Sequence, residues 1–105
     1  MEREGLKSFL LNFFLKEDVI KNILKKEKLF KKILISQKNV KFKEFVNLIE
    51  AFEFYLVKIN GSHHIFKHLK TGSLLNIQNV GGEVKPYQIK QFLYIIEKYN
   101  LTLKT

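Results

Sequence analysis

Gly61-Ser62-His63-His64-Ile65-Phe66-Lys67-His68 gathers all three histidines of the chain into eight residues. Histidine is the side chain whose ordinary pKa lets it give and take protons near neutral pH. One exposed beside lysines has the parts to cleave a phosphodiester with neither metal nor cofactor. The stretch follows Asn60-Gly61, the strongest short hairpin dipeptide, which calls for positive φ at both positions of a type I′ turn. Strand alternation over Ser62 to His68 sets His63, Ile65 and Lys67 on one face and His64, Phe66 and His68 on the other. Phe66 is the natural core residue, which sends His63 and Lys67 to the open face. In a third strand Leu75 and Ile77 are then core, and Asn76 and Gln78 are open.

An open-face histidine among lysines and amides suits RNA cleavage. The imidazole of His63 can take the proton of a 2′-hydroxyl or protonate the leaving oxygen, while ammonium groups stabilise charge on the phosphorane. Lys58, Lys67, Lys85 and Lys90 are the candidate cations, and Ser62 joins them as an RNA-binding candidate. Lys85 also stands before a helix start, where backbone N–H groups favour phosphate. The plainest alternative for His63 is a surface histidine without a role. His64 and His68 read as structural residues at the boundary between sheet and helices. A shared metal is discounted, because neighbouring strand residues point to opposite faces and His64 and His68 lie roughly 13 Å apart. Phe92, Tyr94 and Tyr99 could stack bases, but their helical spacing assigns them to the core or its edge.

These residues need elements to hold them. The first 38 residues read as helical throughout. Leu6 to Leu15 is apolar on most sides and demands burial, in the domain or against another chain. Val19, Ile20, Ile23 and Leu24 follow Glu17-Asp18, which suit a positive helix N-terminus. A third helical piece holds Leu29, Phe30, Ile33 and Leu34, and Ser36-Gln37-Lys38-Asn39 breaks the pattern. Phe42, Phe45, Val46, Ile49 and Phe52 form an amphipathic stripe that predicts a helix over about residues 41–52. Strands are expected over 54–59, 62–68 and 74–78, with a turn at Lys70-Thr71-Gly72 and a mobile loop at Gly81-Gly82. Pro86 opens a final helix at its first position and Asn100 stops it. The order is helix, three-stranded antiparallel sheet, helix, an α+β architecture with both helices on one sheet face. Residues 1–38 form a helical extension and residues 39–105 the domain proper.

Composition sets outer bounds. At 105 residues this is one small domain. The absence of cysteine excludes disulfides, thiolate chemistry and cysteine-based zinc sites, which fits a reducing cytoplasm. The apolar run Phe9–Leu15 is too short to span a bilayer, and no signal-peptide pattern surrounds it, so no membrane association is expected. The net charge of +9 suggests a polyanionic partner. Residues 1–39 carry 10 basic and 5 acidic groups and residues 40–105 carry 9 and 5, so no single basic tail accounts for it.

Lys41-Phe42 and the helix they open, then Gly61-Ser62-His63-His64-Ile65-Phe66, then Gly81-Gly82 and Lys85-Pro86, together resemble the HicA family of bacterial type II toxins. The resemblance covers roughly residues 27–104. It implies a double-stranded-RNA-binding-like fold, α-β-β-β-α, and mRNA interferase activity restrained by a HicB-like antitoxin. It also implies that the histidine after Gly-Ser, His63, is catalytic. Where many members carry Pro-x-His before the paired glycines, this chain has Gln78-Asn79-Val80. The resulting expectation is a cytoplasmic, metal-independent endoribonuclease that acts on mRNA and needs no cofactor. Two rivals remain: a non-catalytic RNA-binding module on the same fold, and an interaction protein whose apolar N-terminal helices bind a partner or a membrane surface. The sequence leaves the oligomeric state open.

Overall fold

The computed structural model describes the backbone of residues 2–104 and the side chains of residues 16–104. The expected burial of Leu6–Leu15 concerns side chains outside that range. The element order is α1 (Glu2–Ile35), β1 (Val40–Lys41), α2 (Phe42–Ala51), β2 (Phe54–Asn60), β3 (His63–His68), β4 (Leu74–Gln78), β5 (Glu83–Val84) and α3 (Pro86–Tyr99). Strands β2, β3 and β4 form the antiparallel sheet in that order, and β1 pairs with β5 in a separate two-stranded ribbon. The fold is α+β and fits the double-stranded-RNA-binding-like order α-β-β-β-α, preceded by an N-terminal helix.

Apolar periodicity decides which face of the sheet the helices take. Phe45, Leu48 and Ile49 of α2 and Ile89, Phe92, Ile95 and Ile96 of α3 are buried against Phe54, Phe66, Leu75 and Ile77 of the sheet. Phe92 is the hub. Its ring meets those of Phe45, Phe52 and Phe54 at centroid distances of 5.4, 5.3 and 5.9 Å. Edge-to-face pairs of this kind add about 0.5–1.5 kcal/mol each beyond area burial. The chain after α3 returns across the core, with Leu101 and Leu103 packed on it and the Lys104 N–H donating to the Ala51 carbonyl at 2.8 Å.

Four local expectations are corrected. The three N-terminal helical pieces are one helix, α1, 34 residues long. Glu17-Asp18 do not begin a helix. They lie within it, and Glu17 forms an (i, i+4) ion pair with Lys21 at 3.5 Å, which supports continuity. The β2–β3 turn is Gly61-Ser62, not Asn60-Gly61, because Asn60 already pairs with His63 in the ladder. Gly61 alone has positive φ there, +63°, the pattern of a type II′ turn with glycine first.

The paired glycines do not form a loose loop. Gly81 and Gly82 have φ of +59° and +85° and close a two-residue turn between Val80 and Glu83, which exchange backbone hydrogen bonds of 2.9 and 3.1 Å. Positive φ at both central positions is what a type I′ turn requires, and glycine meets it without steric cost. The Gly82 carbonyl then accepts the Phe42 N–H at 2.8 Å. That bond satisfies a free donor at the start of α2, where Lys41 offers no side-chain cap.

Candidate active site on the open sheet face

Residues opposite each other in an antiparallel sheet share a face, so the register assigns the open face row by row. The first row is Asn60, His63 and Gln78, and the second is Lys58, Ile65 and Asn76. The third is Tyr55, Lys67 and Leu74. Strict alternation from the buried Phe54 would have turned Lys58 toward the helices. A bulge between Leu56 and Lys58 shifts the phase, so Lys58 pairs with Ile65 on the open side. Lys58 thus stands one row from His63, about 7 Å along the strand, and Lys67 two rows away, about 13 Å.

His63 is half-buried, and its Nδ1 lies 3.1 Å from Oδ1 of Asn76, diagonally across the β3–β4 ladder. An amide oxygen only accepts, so this contact puts the proton on Nδ1. In the neutral ring Nε2 then keeps its lone pair, and it has no hydrogen-bond partner among the described residues. Such an imidazole is set up to accept a proton from a bound group at Nε2 and later release it. Beside it, Gln78 Nε2 donates to Ser62 Oγ at 3.1 Å, which ties the hairpin turn to the end of β4.

The other two histidines have different surroundings. His68 is buried, and its Nδ1 accepts from the backbone N–H groups of Lys70 and Thr71 at 3.2 and 3.1 Å. Its ring meets that of Phe54 edge-on, centroid to centroid 5.0 Å. It therefore organises the turn between β3 and β4 from inside the core. His64 is half-buried on the same helix-facing side, its ring 4.8 Å from that of Phe42, with Nδ1 3.2 Å from the Ser62 carbonyl. Among the described residues no group of three His, Cys, Asp or Glu side chains could hold a metal ion.

Lys85 is the N-cap residue of α3. The first turn of that helix abuts the end of β4, where the buried Gln88 accepts the Gln78 N–H at 2.8 Å. Lys85 thus belongs to the same end of the sheet as His63. Lys90 is exposed on α3, in the helical layer behind the sheet. Of the aromatics considered for stacking, Phe92 is fully buried, while Tyr94 and Tyr99 are exposed on α3. Tyr55, 44% exposed and on the open face with Lys67, is the better-placed ring. Sequence reasoning missed it, and it missed the contact of Asn76 with His63. Both depend on register across strands rather than on position within one.

A family model described as HicA toxin of bacterial toxin–antitoxin matches residues 42–97, just over half of the chain. The matched segment runs from the first residue of α2 into the last turn of α3 and contains all three histidines. No curated protein and no solved structure matches the chain. Among the described residues no helix is long and apolar enough to cross a membrane.

Proposed function

Since this chain belongs to the HicA toxin family of bacterial toxin–antitoxin systems, we propose that it is an endoribonuclease that cleaves mRNA and is restrained by a HicB-like antitoxin. The observation that carries the reading is His63 on an uncovered strand face, its Nδ1 engaged by Asn76. Nε2 removes the proton of a ribose 2′-hydroxyl. The 2′-oxygen attacks the adjacent phosphorus in line, the bond to the 5′-oxygen breaks, and that oxygen takes a proton from water. The products are a 2′,3′-cyclic phosphate and a 5′-hydroxyl. General base assistance by one histidine contributes about 10²–10⁴-fold.

Lys58, one row away, offsets charge on the phosphorane, and Lys67 holds a neighbouring phosphate. Lys85 and the Ser62 hydroxyl extend the contact to the flanking backbone, and Tyr55 offers a ring for a base to stack on. The protein works in the cytoplasm, where its substrate is. Its charge of +9 favours fast association with an acidic antitoxin, and that antitoxin inhibits by covering the His63 face.

A second reading is favoured by one feature. Val80 stands where the resemblance places a second histidine, and an apolar side chain cannot exchange a proton as that histidine would. On that reading the protein binds RNA and leaves it intact. One experiment separates the two: purified protein is incubated with RNA, or with a DNA copy, in excess EDTA. The nuclease reading expects RNA fragments ending in 2′,3′-cyclic phosphate and intact DNA. Salt-sensitive RNA binding without cleavage would establish the second reading, and activity restored only by added magnesium would overturn the metal-free mechanism.

A further inference from the structure

α1 lies outside the family match, which begins seven residues after the helix ends. At 34 residues it is about 50 Å long, and it accounts for the elongated shape of the molecule, 56 × 29 × 28 Å. Among its described side chains the core takes only Ile33, with Leu29 and Phe30 packed beside it. Nearer the N-terminus Val19, Ile20 and Leu24 are each more than half exposed. Ile20 and Leu24 are one turn apart and form one stripe. In the sequence the apolar residues continue upstream as Leu6, Phe9, Leu10, Phe13 and Phe14, at spacings of three and four. An apolar stripe of that length on a helix leaving the domain needs a second surface to cover it.

We propose that α1 pairs with α1 of a second copy of this chain, antiparallel, about a two-fold axis near residues 18 and 19. Charge selects both the occupant and the direction. Residues 2–18 carry three basic and four acidic side chains, whereas residues 19–35 carry six basic and one acidic. Parallel pairing sets the cationic half of one helix along the cationic half of the other. Antiparallel pairing sets residues 2–18 of each copy along residues 19–35 of its partner, with Glu2 and Glu4 opposite the stretch that holds Lys31 and Lys32. The two-fold axis makes the same match at both ends.

Other occupants fit less well. A membrane-surface helix carries a basic excess beside its apolar face, and residues 2–18 have none. An acidic protein is drawn to the cationic half of α1 and leaves the apolar half uncovered. The dimer does not obstruct the site, because α1 joins the helical layer, where Phe30 meets Phe52 at 5.1 Å. The open strand face lies on the other side of the sheet, so two His63 faces stay accessible in the pair.

Sedimentation equilibrium of the full chain tests this, with a dimer expected at micromolar concentration. The double variant Ile20→Glu/Leu24→Glu alters exposed positions and should weaken association by at least about a hundredfold while the domain melts as before. Direction is read separately by cross-linking, since the chain has no cysteine of its own. Lys7→Cys mixed with Lys31→Cys should yield the mixed cross-linked pair, and Glu17→Cys, on the Ile20 side of the helix and beside the axis, should link to itself. A chain that stays monomeric, a dimer indifferent to the double variant, or Lys7→Cys linking to itself would each overturn the proposal. So would sedimentation of the protein with vesicles of phosphatidylcholine and phosphatidylserine in place of self-association.

Discussion

One strand, β3, carries histidine on both faces of the sheet, and the two faces make different use of it. On the open face His63 meets an amide oxygen through Nδ1 and leaves Nε2 to whatever binds there. On the covered face His68 gives its Nδ1 lone pair to two backbone N–H groups and its ring to Phe54. The residue type is the same, and the sequence separation is only five positions. What differs is whether the lone pair is already spent on the protein. A histidine whose acceptor nitrogen is consumed by a turn is part of the fold, and one whose acceptor nitrogen is spare on the uncovered face is available for chemistry.

The largest effect should come from the open face. His63→Ala should lower RNA cleavage by about 10²–10⁴-fold and abolish growth inhibition on induced expression, with the melting temperature unchanged. If mutant and parent are equally toxic, the open face is not where the chemistry occurs. The reverse outcome, unfolding of the variant, would make His63 a structural residue like His68.

The covered face should fail in the opposite sense. His68→Ala removes a buried ring and leaves two N–H groups of the turn unpaired. Together these cost about 2–4 kcal/mol. Thermal unfolding should show that loss, while cleavage measured well below the transition stays near the parent level. Activity lost without any loss of stability would erase the distinction between the faces.

Much of this division was legible in the sequence because a strand has period two. Once Phe66 is assigned to the core, the sides of His63, His64 and His68 follow. Pro86 and Asn100 likewise mark the ends of α3 as local chemistry requires, with Asn100 in the left-handed region at φ +50°. The rest needed partners distant in the chain. Nothing in Phe54-Tyr55-Leu56-Val57-Lys58 announces the bulge that turns Lys58 outward. The ribbon of Val40-Lys41 with Glu83-Val84 is two residues per strand, too short to leave a pattern. The Gly81-Gly82 turn looked loose because its anchors, the Asn79 side chain and the Phe42 N–H, come from outside the dipeptide. Continuity of α1 was hidden by acidic residues that serve equally well at a helix start and in an (i, i+4) pair.

A smaller effect sharpens the open-face half of the comparison. Asn76→Ala removes the acceptor that holds Nδ1–H of His63, so the ring is free to turn and to exchange tautomers. Cleavage should fall about tenfold or somewhat more, as when other hydrogen-bonded supports of a functional histidine are lost. The loss should lie in kcat rather than KM. Asn76→Asp keeps an acceptor at the same place and should restore most of the rate. If the aspartate variant is as impaired as the alanine variant, Asn76 acts only through the sheet and not through His63.

The smallest effect is expected at His64, where the two faces come closest in sequence. It adjoins His63, yet its ring lies against Phe42 at the start of α2, on the side toward the core. What it contributes is contact area and one edge-to-face pair, about 1 kcal/mol in total for a half-buried ring. In a domain of this size that corresponds to a drop of roughly 4–8 °C in melting temperature for His64→Ala. His64→Phe keeps the aromatic contact and has no acid–base capacity. It should melt near the parent temperature and cleave RNA at the parent rate. This variant is the more discriminating of the two, because a direct chemical role for His64 would leave it folded and inactive. A folded, active His64→Phe beside a folded, inactive His63→Ala would show that adjacent histidines on one strand are divided by the sheet between packing and proton transfer.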